Sequence, residues 1–155
     1  MNDAKGGQFD FAAFKRAFVA QDVASWAGFF ENNAEWIEYK HSHPPHSPRR
    51  MVGKAQIEAF LSQVKASNIA LTIEDEVVGA TRAAFRVWCT LPNGKRIIEH
   101  VILYFTDGKI TRQVGRRSMG LGTPAPATER PANVPPTSAI RGGMAIVLLV
   151  ALVLS

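Results

Sequence analysis

The chain has 155 residues, 46% of them hydrophobic and 20% charged, the balance of a soluble globular protein with one core and far from that of a disordered chain. Lys and Arg outnumber Asp and Glu by 18 to 13, but along the sequence the cations are scattered among acids and form no stripe with interleaved aromatics, so no nucleic-acid partner is expected. One cysteine, Cys89, excludes an internal disulfide, and the opening MNDAKGGQFDF has no apolar stretch of the secretory kind, so a cytoplasmic protein is expected.

Phe11, Phe14 and Phe18 recur at helical spacing with Lys15 and Arg16 opposite, which predicts an amphipathic helix over residues 9–20. Asp22 is placed to cap a second helix carrying Val23, Trp26, Phe29 and Phe30 on one face, with Asn32-Asn33 as its stop. Residues 35–39 read as a short strand, and HSHPPHSPRR, residues 41–50, is too rich in proline for regular structure. Gly53 then precedes a third helix with a stripe of Ile57, Phe60, Leu61 and Val64.

From Ile69 the period changes to two. Ile69, Leu71, Ile73 and Val77 alternate with polar residues, as do Ala83, Phe85, Val87 and Cys89 after them. Pro92-Asn93-Gly94 and Asp107-Gly108 are hairpin turns that bracket a strand from about Arg96 to Phe105, and a last strand runs over residues 109–117. The bracketed strand is apolar on both faces, with Ile97, Val101, Leu103 and Phe105 on one and Ile98, Ile102 and Tyr104 on the other. Its second face is expected to leave water in a homodimer.

Beyond residue 117 the composition shifts. Residues 118–143 are rich in Pro, Ala, Thr and Gly and read as a disordered linker, and residues 144–154, MAIVLLVALVL, are an unbroken apolar run. As a helix that run would extend about 17 Å, against a hydrocarbon thickness of about 30 Å, too short to span a membrane alone. Three readings of the apolar tail, residues 144–155, stay open: a membrane-touching anchor, a helix that packs on a partner, or an abnormal end to the reading frame.

The segments DVASWAGFFENNAEWIEY at 22–39, GKAQIEAFL at 53–61, DEVVGATRAAFRVWCTLPNGKRIIEHVILYF at 75–105 and DGKITRQV at 107–114 resemble the nuclear transport factor 2-like superfamily, and more narrowly its SnoaL-like polyketide cyclase branch. The resemblance implies an α+β domain over residues 1–117, a cone in which a curved antiparallel sheet wraps around three N-terminal helices. It implies a pocket for a hydrophobic small molecule, and chemistry done without a cofactor: isomerisation, cyclisation or hydrolysis by proton transfer. Because the superfamily also includes members with no chemistry, a ligand-binding or dimerisation module tethered by its tail is the alternative.

Aligned without gaps from Phe30, Glu38 falls where ketosteroid isomerases carry their general-base aspartate, with Trp36 on its face of the strand; otherwise Glu38 faces water at the strand end. The same isomerases carry an acidic hydrogen-bond donor near Glu99, although Val101 is the residue that aligns. Glu99 shares its face with Ile97 and Val101 and His100 points the other way, so one of the two is expected to face the helices as the acid. Arg112, read on the apolar side of the last strand with Ile110 and Val114, is placed to ion-pair with Glu99. Trp26, Tyr39 and Trp88 are pocket or core aromatics, and His41 or His43 can overhang a pocket mouth. The HSHPPH run lacks the rigid frame of a zinc site, so no metal is expected.

Overall fold

The computed structural model describes residues 7–118. Helix α1 is Phe11–Ala20, started by Asp10, whose carboxylate accepts from the Ala13 N–H at 2.8 Å. Helix α2 is Val23–Gly28, capped by Asp22 as expected. It stops earlier than the sequence suggested, because Phe30 already belongs to strand β1, Phe30–Tyr39. Asn32 and Asn33, read as a helix stop, lie in an irregular stretch of this strand where pairing to its neighbour slips between Phe30 and Glu35.

The proline-rich loop is shorter than expected. Arg49–Val52 form β2, antiparallel to β1, a strand held by its partner rather than by any apolar alternation of its own. Gly53, at φ 93°, turns the chain into α3, Lys54–Ala66, which buries Ile57, Phe60, Leu61 and Val64. Strands β3 (Ala70–Val78), β4 (Arg82–Thr90), β5 (Arg96–Thr106) and β6 (Lys109–Ser118) complete the sheet.

The strand order is β2-β1-β6-β5-β4-β3. Only β1 and β6 run parallel, so the sheet is mixed rather than purely antiparallel. It curls around the three helices, whose apolar faces meet its inner face in a single core. Phenylalanines dominate this core: Phe14 is fully buried, and the Phe9 ring stacks on Phe105 at 4.4 Å.

Two bulges set which side chains face inward. In β3, Asp75 adopts φ 55° where the pairing slips, and Val77, expected inside, is 72% exposed. In β6, Phe105 pairs with Ile110 while Tyr104 pairs with Arg112, so Thr111 is an extra residue. Ile110 points in, Arg112 points out, and Gln113, Gly115 and Arg117 point in again.

On the outer face, Ile98 and Tyr104 are half-buried and Ile102 is 39% exposed. Among the described residues no helix is long and apolar enough to cross a membrane. The expected linker and tail, from residue 119 on, lie outside the described residues.

Candidate active site

Four neighbouring strands bring polar groups to one end of the core. From β1 come Trp36 and Glu38, from β6 Gln113, Gly115 and Arg117, from β5 Glu99, and from β4 Cys89. Register fixes their arrangement: Glu38 pairs with Gly115, and Arg117 pairs with Glu99 on the other flank of β6. Two buried carboxyls on strands either side of β6 therefore converge on one guanidinium.

The Arg117 Nη2 donates to Glu38 Oε1, and its Nε lies 3.5 Å from Glu99 Oε2. Arg49, from β2, reaches Glu38 Oε2 at 3.8 Å while its guanidinium covers the Phe60 ring at 4.6 Å. Glu38 is 0% exposed and Glu99 6%. A carboxylate so buried persists only when paired, and the shared arginine supplies the pairing.

Gly115 makes room for this. A side chain there would overlap Glu99 Oε1 and sit 3.3 Å from its Cδ, so the Glu99 carboxyl occupies the space that any other residue at 115 would fill.

Burial above all, and then the charge of Glu38, push the Glu99 carboxyl above the usual glutamate range, against the pull of Arg117. Burial works against the Arg117 charge, yet the two carboxyls outweigh it and hold that guanidinium more firmly protonated than usual. Lys40, just past the end of β1, is lowered to about 8 by burial, with Glu38 opposing and Arg117 and Arg49 adding to the shift. Cys89 is pushed up to about 12 by burial and then by Glu99.

A cavity of about 40 Å³, counted as space open to the centre of a water molecule, adjoins this cluster. It is walled by Trp26, Trp36, Phe60, Val87 and Cys89, with Glu99, Gln113 and Arg117 as its polar lining. By that measure it has room for about three waters, well short of the roughly 300–1,000 Å³ of a drug-sized pocket. Several buried polar atoms of the site have no hydrogen-bond partner: Trp26 Nε1, Trp36 Nε1, Glu38 Oε2, Glu99 Oε1 and Gln113 Oε1.

Of the residues expected at a site, Trp26 and Glu99 line the cavity. Glu38 stands one layer back, behind Arg117. His100 does not reach it, because strand alternation turns it to the outer face, where it is exposed. Arg112 is displaced to the same face by the Thr111 bulge and stacks on Tyr104 at 4.2 Å; the ion pair expected of it is made by Arg117 instead. Trp88 also faces outward, under the Arg96 guanidinium at 3.9 Å, and donates to Glu74 Oε2 at 2.9 Å. Tyr39 and His41 border a separate outer groove with Lys40, Pro44 and Arg116, and His43 closes a tight turn through its bridge to Lys40. Among the described residues no group of three His, Cys, Asp or Glu side chains is placed to hold a metal ion.

Arg117, Gly115, Gln113 and Arg49 were not anticipated. For Arg117, Gly115 and Gln113 the signal lies in the run Arg112-Gln113-Val114-Gly115-Arg116-Arg117, where one added residue decides which alternate set faces in; Arg49 is placed by the pairing of β2 with β1.

A model of the SnoaL-like domain matches residues 11–113. Among curated proteins nothing matches the chain. Among solved structures, a candidate ketosteroid isomerase from Kribbella flavida is similar with a TM-score of 0.61 at 19% identity, over 83% of this chain and 87% of that one. A Mesorhizobium loti NTF2-like protein of unknown function has a TM-score of 0.62 at 16% identity, over 70% and 87%. A Catenulispora acidiphila protein with a ketosteroid isomerase-like fold, solved with trimethylamine, has a TM-score of 0.54 at 14% identity, over 68% and 82%. At these identities the structures establish the fold alone, and the domain match adds the family: the chain belongs to the SnoaL-like family of the nuclear transport factor 2-like superfamily.

Proposed function

We propose that the chain binds a small carbonyl-bearing organic molecule at the Glu99 end of the core and isomerises it by proton transfer. The observation that carries this is the pair of buried carboxyls, Glu38 and Glu99, sharing Arg117 across Gly115 beside an apolar cavity. Burial strengthens the hold of Glu99 on a proton, against the pull of Arg117, and in this reading Glu99, when protonated, is the hydrogen-bond donor to the substrate oxygen. Glu38 is the base: it stands behind Arg117 and does not line the cavity, so this role requires the Arg117 guanidinium to move aside when substrate binds, after which Glu38 removes a proton from the carbon next to the carbonyl and returns it at the far end of the dienolate. In that step the C–H electron pair moves into the conjugated system, the developing oxygen charge is met by Glu99 and Arg117, and no co-reactant is consumed.

The same geometry limits the substrate. A polycyclic compound exceeds a 40 Å³ cavity, so a molecule of a few heavy atoms is the expected size. The test is turnover of short β,γ-unsaturated ketones by wild type, Glu38→Gln and Glu99→Gln. A loss of about 10²-fold or more in each variant is expected for a positioned acid or base, and wild-type rates in both would overturn the assignment.

Binding without turnover is the second reading, and it is favoured by one observation: both carboxyls are already engaged with Arg117. It is distinguished by ligand-dependent thermal stabilisation of the wild type with no product formed.

A further inference from the structure

The outer groove at the end of β1 is distinct from the inner cavity, yet one side chain lines both: Arg117. The groove is the roomier of the two, about 590 Å³ on the measure that gives the cavity about 40 Å³. Its charge is one-sided. Lys40, His41, Arg116 and Arg117 lie in its lining, and no Asp or Glu does.

Lys40 is the cation of this groove that the proposed proton transfer does not use. Its Nζ is buried and has no hydrogen-bond partner among the described residues. The charged groups around it are Glu38, Glu99, Arg117 and Arg49, and the two carboxyls among them are already paired with the arginines. An anion from outside the chain is therefore the natural complement of this amine.

We infer that the groove seats a carboxylate of the substrate, so that the molecule handled here is a small keto acid, its carbonyl at Glu99 and its carboxylate among Lys40, His41 and Arg117. This rests on the reading that substrate binds at the Glu99 end of the core, and it supplies what that reading needs, a reason for Arg117 to leave Glu38. The Arg117 Nη2 already donates to a carboxylate, that of Glu38. A second carboxylate in the groove exchanges with it like for like: Nη2 turns to the substrate, Nε stays beside Glu99, and Glu38 is uncovered as the base. A neutral ketone offers Arg117 nothing in return and has to displace it unaided. Only the carbonyl end of the acid then has to fit the inner cavity. The outer face of β6 contributes Val114 and Arg116 to the groove, but the contact is assigned to the other three residues, so nothing in it requires the outer face of β4, β5 and β6 to be open.

The experiment measures binding and needs no turnover. Levulinate, a short keto acid with no double bond to move, and its methyl ester are titrated into the full chain carrying carbon-13-labelled lysine, with the Lys40 signal assigned by its loss in Lys40→Met. Levulinate is expected to raise the Lys40 midpoint from about 8, because a bound carboxylate favours the charged amine; the ester is expected to leave it in place. The preference for acid over ester, read from the dissociation constants, should fall about 10- to 100-fold in Lys40→Met, the scale of one hydrogen bond to a charged group. Lys40→Arg, which keeps the charge, should recover most of it, and circular dichroism checks that both variants are folded. Equal binding of acid and ester, an unmoved Lys40 midpoint with levulinate bound, or an unchanged preference in Lys40→Met would each overturn the inference. Inorganic phosphate that displaces levulinate and raises the midpoint as far would overturn the assignment of a carboxylate. Short ketones that are not turned over, with the acid preference intact, would count against proton transfer at Glu38 and leave the carboxylate seat standing.

Discussion

Replacing Gly115 by Ala tests the site at the one position where the absence of a side chain does structural work. The φ of Gly115 lies outside the left-handed range, so the backbone itself accepts alanine. Stiffening the unfolded chain would then stabilise the protein by about 0.4–1 kcal/mol. Against this, the new methyl would overlap Glu99 Oε1 and crowd its Cδ at 3.3 Å and Cγ at 3.7 Å. Overpacking of a filled interior costs about 1–3 kcal/mol, so Gly115→Ala alone should destabilise by about 1–2 kcal/mol. The sign should change when the clash partner is removed: in a Glu99→Ala background the same methyl fills vacated space, and the substitution should be neutral or stabilising. Urea unfolding of wild type, both single variants and the double variant closes the cycle, with a coupling of about 1–3 kcal/mol expected for residues in direct contact. Equal destabilisation by Gly115→Ala in both backgrounds would refute the seating of Glu99 over Gly115.

Arg117→Met should be strongly destabilising, by about 3–5 kcal/mol, because Glu38 would keep only the distant Arg49 and Glu99 would lose its cation; chemical denaturation measures it. Lys40, lowered from 10.5 to about 8, binds fewer protons folded than unfolded between those values, so wild type should gain stability relative to Lys40→Met as pH rises from about 8 to 10.5. A difference independent of pH in denaturation curves would contradict that shift. Cys89, buried and pushed up to about 12, should resist a thiol reagent such as Ellman's reagent at pH 8 in the native protein and react fully in denaturant; rapid native labelling would count against its burial.

The helical stripes and the regular strands were legible because each rests on a local period. Ile57, Phe60, Leu61 and Val64 sit where helical spacing put them, as do Ala83, Phe85, Val87 and Cys89 on strand spacing. What could not be read was decided by pairing. Strand β2 has no apolar alternation and exists because β1 offers it hydrogen bonds. Asn32 and Asn33 resemble a stop signal, yet lie inside β1, where the ladder is irregular. One extra residue at Thr111 exchanges the two faces of β6, removing Arg112 from the interior and delivering Gln113, Gly115 and Arg117 to it. The acidic half of the site therefore lay within reach of the sequence, through Glu99 and its apolar neighbours, while the arginine that organises it did not.

The account rests on a Glu99 carboxyl that burial makes harder to ionise, against the pull of Arg117. Carbon-13 NMR of protein labelled at the glutamate carboxyls, with the Glu99 signal assigned by its loss in Glu99→Gln, follows that group directly through a pH titration. Its folded pKa is raised above the ordinary glutamate value of 4.5, so the signal should remain that of the protonated acid at pH values where exposed glutamates have ionised. A Glu99 resonance that titrates together with the exposed glutamates, or below them, would contradict it.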